Sequence, residues 1–453
     1  MKKYLICFCI LMISCIFNFP VFAASEELPQ FVRVGMKTVS SNYSVEMIAS
    51  EGVALYKYEG GDLTLIESYP EVNKAKIQIE YGVVNLINAS NSEVLSTFSV
   101  GDTYCVGPVG IRQDIWTLNA EKYRGAMMFL KDSDQVRMVN VLDAEQYLYG
   151  VLPKEMSGTY PLEALKAQAV AARCYALLNI SSHNSSGYDV CTSTHCQVYG
   201  GVAGEAARCT QAVDETKGVL VYYEGKPVAC YYSANNGGYI ESSYDIWGSQ
   251  LGYLTGKKDE YNPEYTWTAQ FTASDLKRLL DQSGNGVGDI KTIAILQTSA
   301  GGSVLEMQFV GTSGEVTLKK EKIRTVLGSN DVKSLNFTFS SLNESSESGF
   351  FYMIDQWLSA SKKAVNDIYV MGRDGVKTKY DAAYVYVKEE GKAAVSQSIS
   401  SYQIVDGFNG ISINGIGYGH SIGMSQQGAK VMADKGLNYI EILKHYFTGI
   451  EVH

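Results

Sequence analysis

The sequence of 453 residues lacks the features of several common protein classes. Its 38 lysines and arginines are outnumbered by 48 aspartates and glutamates, and it has no basic block, so it is a poor candidate for binding nucleic acid. No segment repeats clearly with a period of about 20–50 residues, which argues against a solenoid. After residue 23, no stretch of the sequence is long and apolar enough to cross a membrane.

Cysteine and proline are both scarce, at nine and eight residues. Three of the cysteines, Cys7, Cys9 and Cys15, lie near the N-terminus. The six that remain, spread over about 430 residues, do not make a disulfide scaffold. Tyrosine is abundant, with 32 residues, which suits β-structure and also suits surfaces that stack on sugars.

Residues 1–23 have the pattern of an export signal. Two lysines precede an apolar run over residues 4–17, and Val21 and Ala23 match the small residues of a signal-peptidase site. The pattern predicts a cleaved signal peptide. The alternative is an uncleaved N-terminal anchor, because residues 4–22 are just long enough to span a membrane. In either case the rest of the chain is expected outside the cytoplasm.

The remaining sequence predicts an α+β fold. Hydrophobic residues make up 46% and charged residues 19%, so the chain is expected to fold, and its length suggests two or three lobes. Short alternating runs between residues 31 and 140 predict β-strands. Pro161 opens the clearest helix, whose alanine-rich face predicts close packing. We therefore expect β-rich layers with a helical portion flanking a substrate groove.

The sequence divides into four predicted parts. After the signal or anchor, residues 31–344 form a core with a β-rich part, a helical part and a mixed α/β part. Residues 340–349 are polar and give the best linker in the chain. Residues 345–405 are interpreted as an insertion or accessory unit with its own helix and strands. Residues 406–453 return to the core.

Glu155 is the most interesting carboxylate in the sequence. It follows a short apolar stretch and a proline, shortly before the next helix, where a loop can present it in a groove. A buried carboxylic acid whose pKa is raised by desolvation can protonate a leaving oxygen and then act as a base. The alternative is a solvated glutamate beside Lys154.

A candidate metal site lies at Cys191, His195 and Cys196. Sulfur and nitrogen ligands suit Zn²⁺, and a tetrahedral site needs four ligands, for which His183 is the fourth candidate. His195 and Cys196 are adjacent, so both can bind one metal only across a tight turn. The alternatives are a Cys191–Cys196 disulfide, two unpaired thiols, or a nucleophilic cysteine with a histidine base.

Two Gly-rich loops carry polar residues that suit a binding site. We call residues 231–243 the first Gly-rich loop and residues 415–430 the second Gly-rich loop. Their glycines allow close approach to a ligand and leave the Ser, Asn, His, Gln and Tyr side chains free. Neither is a phosphate loop, because no Gly-Lys-Ser or Gly-Lys-Thr follows. The alternative role is turn formation.

Together, five stretches resemble the stage II sporulation protein D (SpoIID) family, which also includes amidase-enhancer proteins. They read VRMVNVLDAEQYLYGVLPKEM, YPLEALKAQAVAARCYAL, HCQVYGG, YYSANNGGYIESS and GYGHSIGMSQQGA. The resemblance runs in family order from about residue 31 to residue 453, with an unmatched stretch near 345–405. The LKAQAVAAR helix and the GHSIGMSQQGA loop are its specific parts. The predicted core is therefore SpoIID-like.

The resemblance implies a lytic transglycosylase that acts on the glycan strands of peptidoglycan. In sporulating bacteria such enzymes help to thin the septal wall during engulfment, and they prefer strands that an amidase has stripped of peptides. The family's catalytic glutamate corresponds to Glu155. It is expected to protonate the glycosidic oxygen after MurNAc and then to take the proton from the C6 hydroxyl of that sugar. The product is a 1,6-anhydro sugar, so one carboxylate suffices.

The resemblance also implies a metal and a set of groove residues. Some family members bind zinc through the segment that matches Cys191, His195 and Cys196, and a structural zinc is expected here more than a catalytic one. Polar residues of the matching motifs are expected to line the groove or to hold its loops together: Lys166, Gln168, Arg173, Ser233, His420, Ser425 and Gln426.

The expected partners are peptidoglycan glycan strands and a cell-wall amidase. The resemblance places the protein in the cell wall or on the outer face of the cytoplasmic membrane, with membrane contact only through an N-terminal anchor. One alternative function is a non-catalytic, wall-binding activator of an N-acetylmuramoyl-L-alanine amidase. Another is zinc-dependent hydrolysis at the candidate metal site.

Five residues depart from the family pattern. Tyr160 stands where the family often has Trp, Cys174 where Thr or Ser is usual, Ser421 where Gly is usual, Asn236 at a common Ser, and Gln427 in place of an aromatic residue. None of them is the predicted acid. The departures therefore concern the shape of the groove and the preference for substrate.

Overall fold

The structure, a computed structural model, describes residues 30–178, 183–342 and 409–453, together with the backbone of four short strands between the last two ranges. The described part contains both sheets and helices, which confirms the predicted α+β fold. The signal or anchor predicted for residues 1–23 lies outside it. Within the described residues, none of the helices has the length and apolar character needed to cross a membrane.

The alternating sequence predicts the N-terminal strands, and the structure arranges them in two sheets that share a core. One has seven strands in the order β13-β1-β12-β11-β8-β3-β4, and the other has six in the order β10-β9-β2-β5-β6-β7. The apolar residues of the two sheets form a common core, in which Trp116 and Phe129 are completely buried. The strands are β1 Phe31–Ser40, β2 Tyr43–Ile48, β3 Val53–Glu59, β4 Asp62–Tyr69, β5 Lys74–Glu80, β6 Val83–Asn88, β7 Val94–Ser99, β8 Tyr104–Pro108, β9 Trp116–Leu118, β10 Glu121–Tyr123, β11 Ala126–Asp132, β12 Gln135–Asp143 and β13 Val190–Cys191.

Helices and short strands follow the two sheets and share a second core. The helices are α1 Ala144–Glu155, α2 Leu162–Leu178, α3 Ala207–Asp214, α4 Ser243–Trp247, α5 Ala273–Gln282, α6 Glu321–Leu327, α7 Gln426–Asp434 and α8 Tyr439–Tyr446, with short 3₁₀ turns at Asn184–Ser186 and Val202–Gly204.

The remaining strands are short, and most pair with near neighbours in sequence. They are β14 Val221–Tyr223, β15 Lys226–Pro227, β16 Tyr232–Ser233, β17 Tyr239–Ile240, β18 Lys257–Lys258, β19 Thr266–Thr272, β20 Ile290–Thr298, β21 Val304–Gly311, β22 Gly314–Lys319, β23 Phe337–Ser341, β24 Phe350–Ile354, β25 Ala360–Ala364, β26 Tyr369–Met371, β27 Lys377–Lys379, β28 Gly410–Ile416, β29 Met424–Ser425 and β30 Ile450–Val452.

Helix α2 is the centre of the second core. It contacts α1, α3, α7 and α8, and 13 of its 17 residues are buried. The sequence predicted a single packed face, and this prediction is too narrow because neighbouring elements cover the helix on several sides. Alanine at six of the buried positions allows the close packing that was expected.

Two predicted helix boundaries illustrate how local sequence determines the ends. Asn438 with Glu441 three residues later predicts a capping box, and the two residues form one at the start of α8. The sequence predicts a helix over about 204–217, but α3 is shorter, because Glu205 is extended and the residues before it form a 3₁₀ turn. Gly218 takes a positive φ of 74° after α3, as a residue past a helix end often does.

The predicted insertion connects two strands of one sheet. Strand β28 pairs with β19 on one side and antiparallel with β23 on the other, and Ser341 lies opposite Ile411. The first residues of the predicted linker therefore continue β23. Within the connection, the described backbone forms the hairpins β24–β25 and β26–β27. The helix predicted within 345–405 lies outside the described residues.

Candidate active site and metal cluster

Glu155 is the last residue of helix α1, so the expectation that it lies in a loop is wrong. Asp143 caps the start of α1 by accepting a hydrogen bond from the backbone N–H of Glu145 (2.9 Å). The helix ends because Met156 is extended, with φ −141° and ψ 130°. A carboxylate in this last turn faces the partly negative end of the helix, which disfavours its ionised form.

Gly150 brings a second segment against the same helix. A Cβ atom at this position would lie 2.6 Å from the ring of Tyr199 and 3.1 Å from the backbone nitrogen of Gly201. Because glycine leaves that space free, Gly200 donates its N–H to the Gly150 carbonyl at 2.9 Å. The contact holds residues 197–201 alongside α1, where the N–H of Val198 reaches Glu155.

The Glu155 carboxyl group is largely enclosed. Burial raises its pKa above the ordinary value of a glutamate, while hydrogen bonds from the Gln426 side chain, the Val198 N–H and the Tyr232 hydroxyl act in the opposite direction. These three donors come from α7, the segment after the metal-ligand candidates, and β16. The net direction is upward, as an acid catalyst requires.

The two Gly-rich loops meet beside Glu155. Strand β16 of the first Gly-rich loop pairs in parallel with β29 of the second Gly-rich loop, so that Ser233 lies opposite Ser425. Asn235 and Tyr418 form a further bridge. This pairing positions Tyr232 and Gln426, one from each loop, on the same carboxylate.

Four of the predicted groove residues are close to this arrangement. Gln426 donates a hydrogen bond to the Gln168 side-chain oxygen at 3.4 Å. Gln426 therefore links Gln168 to Glu155. Among the described residues, Nε2 of Gln168 and Oγ of Ser233 are buried without a hydrogen-bond partner. Buried polar atoms normally have partners, so these two suit a ligand or a water molecule. Ser425 instead caps α7 and donates to Asn262 at 2.7 Å.

His420 has both ring nitrogens occupied by backbone groups. Its Nδ1 accepts a hydrogen bond from the N–H of Ile422 (3.0 Å), and the ring also hydrogen-bonds the backbone of Tyr232. Burial, together with the charge of Arg324, lowers the pKa of His420 to about 4. A neutral His420 therefore holds the two Gly-rich loops together.

Lys166 and Arg173 are engaged in ion pairs with other parts of the protein. Lys166 contacts Glu163 at 2.9 Å and Glu215 at 2.7 Å. Arg173, 1% exposed, contacts Glu145 at 2.6 Å and donates to the carbonyl of Val219. The structure thus places the Arg173 guanidinium in the packing of α1 against α2, where protein groups already accept its hydrogen bonds.

The four predicted metal ligands lie together. The ligand atoms of His183, Cys191, His195 and Cys196 are all within 4.8 Å of one another and form a possible metal-binding cluster. Cys196 Sγ is 3.3 Å from His183 Nε2 and 3.4 Å from His195 Nδ1. These distances are close to the separation of about 3.6 Å that tetrahedral Zn–S and Zn–N bonds impose. The donor set therefore fits zinc.

A tight turn allows two adjacent residues to join this cluster. The backbone N–H of Cys196 donates to the Ser193 carbonyl at 3.1 Å, so His195 and Cys196 both face inward. Burial opposes ionisation of Cys191, but hydrogen bonds from Ser193, Cys196 and His195 together outweigh it and lower its pKa to about 6. Burial raises the pKa of Cys196 to about 11. A thiolate is the form that binds a metal, and Cys191 is the thiol that favours it.

The segment with the cluster is joined to the seven-stranded N-terminal sheet. Strand β13, which contains Cys191, pairs in parallel with β1. Two residues earlier, the buried Asp189 carboxylate contacts the Arg33 guanidinium at 2.6 Å and also accepts the Arg33 backbone N–H. The ring of His183 stacks on Tyr188, with centroids 4.7 Å apart.

Three residues in the surroundings of Glu155 were not predicted from the sequence. Gln197, Val198 and Tyr232 were not singled out, although all three lie within quoted motifs. Gln197 and Val198 directly follow Cys196, so the segment that leaves the cluster is the one that reaches Glu155. Their position next to the predicted ligands is the signal that could have identified them.

Four of the five departures from the family pattern have a defined conformation or hydrogen bond in the structure. Ser421 has a positive φ of 61°, which glycine adopts more readily, and this accounts for the usual glycine. Asn236 donates to Asp259 at 2.7 Å, and Gln427 accepts from Asn235 at 2.8 Å. Cys174 accepts the N–H of Val221 through its sulfur at 3.2 Å.

Comparison with family models matches two parts of the chain. Residues 132–223, which include α1, α2 and the metal cluster, match the SpoIID model, described as Stage II sporulation protein. Residues 249–354 match a domain of unknown function.

Three relatives illustrate the similarity. The chain is 31% identical to an amidase enhancer of Bacillus subtilis over 67% of its own length and 39% of the relative's. It is 25% identical to stage II sporulation protein D of Bacillus amyloliquefaciens, covering 69% of this chain and 75% of the relative. An uncharacterised protein of Brachyspira hyodysenteriae is 28% identical over 93% of this chain and 92% of its own length.

Proposed function

Because this chain belongs to the stage II sporulation protein D and amidase-enhancer family, we propose that it is a lytic transglycosylase of peptidoglycan. The substrate is the glycan strand, preferably one that an amidase has stripped of peptides. The bond cleaved is the glycosidic bond between MurNAc and GlcNAc. The product carries a 1,6-anhydroMurNAc end.

The observation that supports this proposal most strongly is the environment of Glu155. Its pKa is raised by burial, it ends a helix, and two Gly-rich loops converge on it. A carboxyl group with a raised pKa retains its proton at a higher pH than an exposed glutamate and can donate it to a leaving oxygen.

One carboxyl group suffices for the proposed reaction. Glu155 gives its proton to the glycosidic oxygen as the bond from that oxygen to C1 of MurNAc breaks. The C6 hydroxyl of the same sugar attacks C1, and its proton passes to the Glu155 carboxylate. The acid is regenerated, no water is consumed, and no second carboxylate at a defined distance is needed, unlike in most hydrolytic glycosidases.

We further propose that His183, Cys191, His195 and Cys196 bind zinc in a structural role. Two sulfurs and two nitrogens would supply the four ligands of a tetrahedral ion and leave no open position, as in structural zinc sites. The zinc would hold the turn at residues 193–196 and, with it, the Val198 N–H that reaches Glu155.

The proposed setting is the cell wall of a sporulating bacterium, outside the cytoplasmic membrane. The names of the relatives refer to sporulation and to enhancement of an amidase. We therefore propose export through residues 1–23, peptidoglycan as the ligand and a cell-wall amidase as the partner.

The enzyme is tested with purified protein, starting at about residue 24, and peptide-free glycan strands. Wild-type protein is expected to release anhydro-ended fragments that mass spectrometry identifies. Glu155→Gln keeps the shape of the side chain and removes the transferable proton, so it is expected to lower the rate by at least about a hundredfold while the fold is unchanged. Equal activity of both proteins would mean that Glu155 is not the acid.

The similarity to an amidase enhancer favours a second candidate function. In this alternative the protein binds the wall and activates an N-acetylmuramoyl-L-alanine amidase without cutting glycan. An amidase assay on intact peptidoglycan distinguishes the two. Stimulation that is equal for wild type and Glu155→Gln, with no anhydro products from either, would favour the activator.

A further inference from the structure

A cation and two tyrosine rings lie together at one end of a three-stranded sheet. Nζ of Lys333 lies 5.4 Å from the ring centroid of Tyr265 and 5.8 Å from that of Tyr418. It also donates a hydrogen bond to the Tyr265 hydroxyl oxygen at 3.1 Å. The two rings are inclined by 29° to each other, with centroids 6.0 Å apart. We call Tyr265, Lys333 and Tyr418 the tyrosine–lysine platform.

The pairing of the sheet explains why three residues far apart in sequence meet. Strand β28 is antiparallel to both β19 and β23, so the starts of β19 and β23 lie beside the end of β28. Tyr265 directly precedes β19, Lys333 precedes β23 by four residues, and Tyr418 follows β28 by two. Two backbone hydrogen bonds fix this end of the sheet: Gly417 donates to the Tyr265 carbonyl at 2.8 Å, and Gly419 donates to the Lys333 carbonyl at 2.9 Å.

The platform adjoins the first Gly-rich loop. The N–H of Tyr418 donates to the Asn235 carbonyl at 2.7 Å, and the Tyr418 carbonyl accepts the N–H of Asn235 at 3.1 Å. A Cβ atom at Gly419 would lie 2.5 Å from Cβ of Ser233, so only glycine allows this approach. Ser233 carries the buried hydroxyl oxygen without a hydrogen-bond partner among the described residues. The platform therefore lies next to a residue that already suits a ligand.

The platform offers an accessible ring and a charge that no carboxylate balances. Tyr418 is 40% exposed, although most large apolar side chains of this part of the protein are covered. Within the described residues, Lys333 forms no ion pair, in a chain whose net charge is −10. An ammonium group has three N–H donors, and Tyr265 accepts one of them. The remaining donors are free to bind an anionic ligand.

We propose that the tyrosine–lysine platform binds a MurNAc residue whose lactyl group ends in a free carboxylate. The inference rests on the proposed glycan substrate and names the group that marks a strand stripped by an amidase. Hydrolysis of the amide bond between the lactyl group and the peptide leaves a carboxylate, which is ionised at neutral pH. Lys333 pairs with this carboxylate through a charge-assisted hydrogen bond, and the ring of Tyr418 stacks on the sugar.

The same platform distinguishes a stripped strand from one that keeps its peptides. An unstripped MurNAc has a neutral amide in place of the carboxylate. A half-buried cation gains more from an anion than from a neutral group, because water screens their attraction less than it does at an open surface. Lys333 therefore supplies a physical reason for a preference for stripped strands.

The test measures binding by isothermal titration calorimetry to protein with Glu155→Gln, so that cleavage of the ligand is slow. One ligand is a peptide-free GlcNAc–MurNAc tetrasaccharide, and the other is the same tetrasaccharide with its lactyl carboxyl groups converted to amides. The carboxylate ligand is expected to bind about tenfold more tightly, and added salt is expected to reduce the difference. Lys333→Met keeps the length of the side chain without its charge and should bind both ligands alike, whereas Lys333→Arg should keep the preference.

Two further variants separate charge from stacking. Tyr418→Leu removes a ring and no charge, so it is expected to weaken both ligands to a similar degree. Lys76→Met, on an exposed position of β5, is the matched control and should leave the preference unchanged. Equal affinity for the two ligands with Lys333 in place, or a preference that survives Lys333→Met, would overturn the inference. The first of these comparisons needs no variant at position 333, so it holds even if Lys333→Met does not fold.

Binding and cleavage are measured separately, which keeps this inference apart from the proposed function. A carboxylate preference that depends on Lys333, with no anhydro product from wild-type protein, would refute the enzyme and keep the platform. Anhydro product together with equal affinity for the two ligands would keep the enzyme and refute the platform.

Discussion

Polar side chains near Glu155 differ in whether protein groups already satisfy them. Arg173 and Ser425 have their partners within the protein, whereas Gln168 and Ser233 each retain a buried atom without one among the described residues. Sequence motifs cannot make this distinction, because both kinds of residue occur in the same matched stretches. Glu155 could be selected from the sequence, but Tyr232 could not, since its role depends on a strand pairing with residues almost 200 positions away.

Arg173 is expected to act on stability rather than on substrate binding. Arg173→Met leaves the Glu145 carboxylate largely buried without its cation, which costs about 3–5 kcal/mol of unfolding free energy. Urea denaturation measures this loss. Lys277→Met, which breaks the exposed Lys277–Asp281 pair, is the control and is expected to cost less than about 1 kcal/mol. A raised KM with unchanged stability would instead support the predicted contact with substrate.

The lowered pKa of Asp259 predicts that the stability of the fold depends on pH. Burial raises its pKa, but hydrogen bonds from His445, Asn236 and the Tyr261 N–H outweigh this effect and leave the pKa below the usual value of an aspartate. A folded-state pKa below the unfolded one contributes stability at neutral pH, and that contribution is lost as the pH falls through the folded pKa.

Asp259→Asn is therefore expected to destabilise the protein most near pH 7 and progressively less below about pH 4. Thermal unfolding across this pH range measures the difference. The exposed Asp134→Asn serves as the control. A difference between wild type and Asp259→Asn that does not change with pH would contradict the argument.

At the scale of elements, the site depends on segments that come from distant parts of the chain. The alternation of strands and the capping box of α8 were predictable, because they depend on neighbouring residues. The burial of α2 on several sides was not, since it requires the positions of α3, α7 and α8. The pairing of the two Gly-rich loops was likewise not predictable, because both read as polar turns in isolation.

The segment with the metal cluster is expected to lose its order when the metal is removed. One zinc per chain is expected by elemental analysis. Chelation should lower the melting temperature by several degrees and increase amide hydrogen exchange over residues 183–201, because binding energy is folding energy at a structural site. The variant with Cys191→Ser and Cys196→Ser should match the chelated protein and not respond to chelator. An unchanged melting temperature after complete removal of zinc would argue against a structural role.

At the scale of the whole molecule, the helical core brings the metal cluster, the two Gly-rich loops and Glu155 together beside the two N-terminal sheets. Glu155 ends α1, and the groups that lower its pKa come from the segment after the metal cluster and from the two Gly-rich loops. The fold class followed from composition and periodicity, whereas the groove and the accessory role of 345–405 stay predictions. The central claim is that, at this site, the C6 hydroxyl of the sugar attacks its own C1 atom and water does not.

The most direct measurement of that claim is cleavage of peptide-free glycan strands in water enriched in oxygen-18. A lytic transglycosylase closes the 1,6-anhydro ring with the sugar's own oxygen, so mass spectrometry should show anhydro-ended fragments without the heavy isotope. Glu155→Gln should release these fragments at least about a hundredfold more slowly. Reducing ends that contain oxygen-18 would show that water attacks C1 and would contradict the proposed reaction, even if Glu155 proved essential.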